Sequence, residues 1–147
     1  MNKTFYYVLA FVVGLIIAVH LAMNADVGEK IENARAANAA FWSIGAAVAI
    51  LIWLASPNRS AITRIKEISP LLLLAGAMGA GLVLAIAVII PRIGAGATNV
   101  LQLAGQVMAG ILISQFALWS SPQESISVLK VAGVAVMVGG AYMAVML

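Results

Sequence analysis

Cysteine is absent from this chain of 147 residues, which excludes disulfides, thiolate catalysis and cysteine-based metal sites. Charge is nearly as scarce. Lys, Arg, Asp and Glu together make up 9% of the residues, against about 25% in an ordinary soluble domain. The acidic residues Asp26, Glu29, Glu32, Glu67 and Glu124 all fall outside the long apolar runs. No HExxH pattern occurs, no Gly-rich phosphate loop leads into a Lys, and no Ser/His/Asp set can be assembled inside an apolar run. An enzyme, an ATP-driven machine and a bound cofactor are therefore not expected. The single histidine, His20, has no second histidine or apolar-run carboxylate beside it to complete a metal site. The net charge of +3 does not announce nucleic acid either, because no basic stripe with interleaved aromatics exists.

Apolar residues are what the chain has in excess, 64% of it, with a mean hydropathy of +1.10. They gather in five stretches, 5–23, 37–55, 71–90, 97–116 and 128–147. Each approaches the ~20 helical residues that a hydrocarbon core requires. None holds a charged residue, apart from Lys130 near the start of the fifth and Arg92 just past the third. A soluble core could not hide so much apolar surface. The expected fold is all-α, an integral membrane bundle of five transmembrane helices, with 1–147 as a single domain and membrane lipid as its solvent.

Punctuation between the stretches is plain. Met1-Asn2-Lys3 before an apolar run has the look of a secretory signal, but the run exceeds the ~7–15 residues of such a segment and four more follow. A retained first helix is expected. It should end near Asn24, where Asn-Ala-Asp-Val-Gly breaks the apolar pattern, with a charged connection from Glu29 to Arg35. Pro70 suits the first turn of helix three. Ile90-Pro91-Arg92-Ile93-Gly94 reads as a break before helix four, since proline cannot continue a helix cheaply. Ser120-Ser121-Pro122-Gln123-Glu124 separates helices four and five. Gly76 with Ala80, Ala77 with Gly81, and Gly133 with Ala141 offer the small-residue spacing that lets helix backbones approach. Trp42, Trp53, Trp119, Tyr6 and Tyr7 stand near helix ends, as an interfacial belt would. Lys3, Arg59, Arg64, Lys66 and Lys130 outnumber Lys30, Arg35 and Arg92 on the opposite side, favouring a cytoplasmic N-terminus.

Function has to be sought in polar side chains carried into lipid. Asn99, Gln102, Gln106 and Gly110 recur at three and four residues, so they share one face of helix four. Carboxamides without partners in lipid cost several kcal/mol, so they face the bundle interior, another subunit or a hydrated cavity. Two readings stand side by side: a wall for a substrate, or hydrogen-bonded glue at about 0.6 kcal/mol per bond. His20 and Asn24 share a face of helix one. The imidazole is of a type that changes charge near neutral pH. It either carries a proton or a solute contact, or rests on a neighbouring carbonyl. Arg92 either gates or attracts an anion, or simply snorkels to headgroups.

Ile90-Pro91-Arg92-Ile93-Gly94-Ala95, Ala104-Gly105-Gln106 and the run Gly133 to Gly140 together resemble the YdcZ-type family, a five-helix branch of the bacterial drug/metabolite transporter superfamily. That family's first helix usually carries Gln-x-x-x-Asn followed by Gly. Here the matching positions are His20, Asn24 and Gly28, so His20 departs from the pattern. The resemblance implies one half of a ten-helix transporter fold and a multi-pass place in the cytoplasmic (inner) membrane of a prokaryote. It further implies pairing with an inverted copy of itself, a dual-topology homodimer, or with a homologous five-helix chain. The function expected is alternating-access transport of a small polar organic solute, with His20, Asn24, Asn99, Gln102 and Gln106 contacting it. A different reading is a non-transporting scaffold or regulatory subunit of a larger complex.

Overall fold

In the computed structural model, residues 3–146 are described; Met1, Asn2 and Leu147, on which the signal-like start and the last residue of the fifth stretch fall, lie outside them. Among the described residues five α-helices follow one another: α1 (Lys3–Lys30), α2 (Ala34–Ala55), α3 (Pro70–Ile93), α4 (Ala95–Gln115) and α5 (Val128–Met146). All five are long and apolar enough to cross a membrane. Large side chains stand exposed along them, Phe11 at 68%, Leu71 at 74% and Met78 at 72%. Such surface is tolerable only where hydrocarbon solvates it, and a helix suits hydrocarbon because it satisfies its own backbone groups.

The chain forms two compact units, divided between Arg92 and Ile93. In the first unit α1 and α2 make a tight hairpin. The expected end of α1 near Asn24 is corrected here, since the helix runs on to Lys30. Leaving the apolar zone is not leaving the helix: Asp26 and Lys30 pair at 2.6 Å across one turn of that polar extension. Termination comes from two backbone bonds, Asn33 N–H to Gly28 C=O and Glu32 N–H to Glu29 C=O, both 3.0 Å. Glu32 takes φ 52°. This is the 6→1 and 5→2 pattern that closes helices through a left-handed residue. Asn33 then caps α2, its Oδ1 accepting from Ala36 N at 3.1 Å. The connection thus shrinks to Ile31–Asn33, and the two helices must crowd each other. A Cβ at buried Gly28 would lie 3.2 Å from the Ala34 Cα, so glycine there is required by close approach.

Helix α3 joins this hairpin through Val83 and Ile86, which pack with Leu21 and are flanked by Phe41 and Ile90. The Asn38 amide donates to Ala80 C=O at 3.2 Å. A Cβ at Gly79 would come within 3.3 Å of the Trp42 ring. The α2–α3 contact therefore runs through Gly79 and Ala80, whereas a Cβ at Gly76, Gly81 or Gly133 would meet nothing within 4 Å. Small-residue spacing marks which side of a helix is smooth, not which neighbour uses it. The Trp42 ring, exposed elsewhere, covers Gly79. Between α2 and α3 the chain forms a 3-10 helix, Arg59–Glu67.

Pro91 does not end α3. It lies inside the last turn, and the helix reaches Ile93. Its missing N–H leaves the Ala87 carbonyl without that intrahelical bond, and only Arg92 and Ile93 follow it in the helix. The break is one residue, Gly94, with φ 83° and ψ 156°, a conformation reached essentially by glycine alone. In the second unit, Gly94 C=O accepts from Thr98 N at 3.2 Å and from Thr98 Oγ1 at 2.7 Å, anchoring the start of α4. After α4 the chain folds back along the helix end. Glu124 N–H donates to Ser114 C=O at 3.0 Å, and Ile126 N–H to Gln115 Oε1 at 2.6 Å. Ser127 Oγ accepts from Lys130 N at 3.2 Å, capping α5, which returns antiparallel against α4.

Candidate functional site

Asn24 is the most telling residue of the first unit. It sits on α1 one turn beyond His20, is only 4% exposed, and its Nδ2 has no hydrogen-bond partner among the described residues. A buried amide left unpaired costs about 1–3 kcal/mol, so native structures rarely leave one without a reason. The reason suggested by the surroundings is a cavity of about 280 Å³ lined by His20, Met23, Asn24, Ala37, Phe41 and Ile44. That is just under the ~300 Å³ at which small-molecule sites begin, so an occupant would be small.

His20 is held at the edge of this cavity in two ways. Its Nδ1 lies 3.3 Å from Ile16 C=O, one turn back. A carbonyl can only accept, so Nδ1 donates, and in the neutral ring Nε2 is left to accept. The imidazole also stacks on Phe41 of α2, centroids 5.3 Å apart and planes inclined by 25°. The carbonyl contact anticipated for a resting imidazole is thus made, yet it uses one nitrogen only. His20 brings a ring acceptor to the edge of the cavity, while the Asn24 Nδ2 donor lies buried behind its surface.

Phe41 and Asn38 were not expected to matter from sequence. Asn38 is the sole carboxamide within the second apolar stretch, a signal that could have drawn attention to it. Its Nδ2 bond to Ala80 is the helix-joining role that carboxamides play in lipid, but its Oδ1 is buried without a partner among the described residues.

In the second unit α4 carries Asn99, Gln102 and Gln106 along one face. Asn99 and Gln102 are half-buried and Gln106 is exposed. Gln102 Oε1 is buried with no partner among the described residues. A separate cleft of about 410 Å³ lies between α4 and α5, lined by Val107, Gly110, Ser114, Glu124, Lys130 and Met137 among others. Of the α4 polar stripe only its last member, Gly110, reaches this cleft. Lys130 Nζ meets Glu124 Oε2 at 3.0 Å there, so the one cation inside the fifth stretch is compensated. Arg92 stands exposed on the last turn of α3, where a positive charge favours the helix dipole.

Neither a curated protein nor a solved structure matches the chain. Residues 5–143 match the family described as "Putative inner membrane exporter, YdcZ", and the chain belongs to that family, a multi-pass protein of the inner membrane.

Proposed function

We propose that the protein is a secondary transporter which moves a small polar organic solute across the inner membrane by alternating access, acting as an antiparallel pair of chains. The family's description as an exporter supports transport in general and an outward direction. One observation carries the finer reading: the Asn24 Nδ2 is buried and unpaired, among the described residues, beside a cavity that also presents His20. A solute acceptor would stabilise that group once the Asn24 side chain turns toward the cavity it lines. Gln102 Oε1 offers the converse, a buried acceptor awaiting a donor. In the first unit His20 and Asn24 are the proposed solute contacts; in the second unit, taken by itself, they are Asn99, Gln102 and Gln106. Inverted five-helix halves around a midplane site are a known route to alternating access, and pairing with an inverted copy would supply that symmetry. Arg92, at the Pro-Arg-Ile-Gly turn, would stand at the rim of the path.

Neutral amides and one imidazole favour an uncharged or zwitterionic solute over a lipophilic cation. The test is flux into liposomes holding the purified chain, run over a panel of sugars, amino acids, polyols and organic cations. Uptake of a polar solute that falls in His20→Leu and Gln106→Leu supports the assignment. Transport indifferent to both substitutions removes these residues from the mechanism. Crosslinking in the native membrane separates the scaffold reading, since an obligate unrelated partner in place of a self-pair would contradict the transporter pair.

A further inference from the structure

The 3-10 helix Arg59–Glu67 joins two membrane-crossing helices, α2 ending at Ala55 and α3 beginning at Pro70, which puts it at a membrane face. A 3-10 helix has three residues per turn, and side chains three apart eclipse one another. Ile62, Ile65 and Ile68 therefore align along one edge, Ile68 at the helix cap. They remain 45%, 48% and 46% exposed. Arg59 stands at the start of the same edge. The other two edges hold Ser60, Thr63 and Lys66, and Ala61, Arg64 and Glu67. Arg64 has a loose partner in Glu67 at 3.8 Å, while Arg59 and Lys66 form no ion pair among the described residues. Trp53, on the last turn of α2, donates its indole N–H to Arg59 C=O at 3.2 Å and pins the start of the segment. With Ile62, Arg64, Ile65 and Ile68 it lines an open cleft of about 470 Å³.

We infer that Arg59–Ile68 is a lipid-docking element: its isoleucine edge enters the acyl boundary while Arg59, Arg64 and Lys66 bind anionic headgroups. Charge and position both point to this occupant. A row of half-exposed isoleucines is costly in water and favourable a few ångströms into a bilayer. Three cations against one carboxylate in nine residues complement an acidic leaflet, each adding about fivefold to surface affinity. Tryptophan at the hinge suits the headgroup level. Docking of this kind requires nothing of the transport cycle.

The chain's lack of cysteine allows a direct test on the full-length protein. Ile65→Cys and, as a control on a polar edge, Thr63→Cys are labelled with an environment-sensitive fluorophore in nanodiscs of phosphatidylcholine, alone or with a third of phosphatidylglycerol. The Ile65 label should be shifted to the blue and quenched by acyl-chain spin labels, more so with phosphatidylglycerol, while the Thr63 label stays wet. Enrichment of phosphatidylglycerol around the label, read with lipid-matched quenchers, should fall about fivefold on Lys66→Gln. Hydrogen–deuterium exchange on the unsubstituted chain gives an independent reading: amides of 59–68 should exchange more slowly with phosphatidylglycerol present. A water-like Ile65 label in both discs, or exchange indifferent to the anionic lipid, overturns the proposal. An Ile65 label dry in native membranes but wet in both discs overturns it too, because a protein then covers this face.

Discussion

Replacing Asn24 by Leu separates a solute-binding amide from a helix-joining one by the sign of the stability change. The side chain is 4% exposed and its Nδ2 lacks a partner among the described residues. Leucine keeps the branching of asparagine but is bulkier by about two methylene groups, and the cavity of about 280 Å³ that Asn24 lines takes up the added volume without overpacking. What disappears is an unpaired donor that costs about 1–3 kcal/mol. The variant should therefore be more stable than the parent by an amount of that order, an unusual direction for a buried substitution. Had the amide been glue, its removal would cost about 0.6 kcal/mol. The assay is the thermal midpoint of the purified protein in detergent, followed by tryptophan fluorescence. In the same preparation, the solute found in the flux panel should raise the parent's midpoint by mass action and leave the variant's unmoved. Flux should drop about tenfold, since one buried solute hydrogen bond of about 1.5 kcal/mol is lost. A lowered midpoint, or a raised midpoint with flux retained, would refute the reasoning.

Gly94→Ala places a Cβ on backbone at φ 83° and ψ 156° and should destabilise the protein by about 1–3 kcal/mol, measured as a lower thermal midpoint. Glu32→Gly acts oppositely: it relieves a left-handed residue at φ 52° and should add about 1 kcal/mol to stability. Gly28→Val drives side-chain atoms into the Ala34 backbone, already 3.2 Å from an added Cβ, at about 1–3 kcal/mol or more; lower yield and a reduced midpoint of the folded protein check it. Gln106→Leu removes an exposed amide and should leave the midpoint within about 0.5 kcal/mol of the parent while reducing flux in liposomes.

Five crossings, and with them the membrane, were legible in residue types alone, because a bilayer demands long uncharged runs and nothing in a sequence imitates them cheaply. The same holds for the shared face of Asn99, Gln102 and Gln106, which follows from helical periodicity once the helix is granted. Family membership was legible too, carried by Pro91-Arg92, Gly105-Gln106 and the glycine-rich last helix. The ends of elements were not. Asp26 looked like the end of α1 but serves as half of an ion pair one turn before its true end, and Pro91 looked like a stop but stands inside α3, two residues before its end. Those outcomes depend on which backbone groups find partners across a turn, as Asn33 finds Gly28. Tertiary structure alone decided that Gly79, and not Gly76 or Gly81, meets a neighbour, that the Asn38 Nδ2 is spent on Ala80, and that the Asn24 Nδ2 finds no partner among the described residues. Composition says which side chains dislike lipid; only the placement of neighbouring atoms says which of them have already been satisfied.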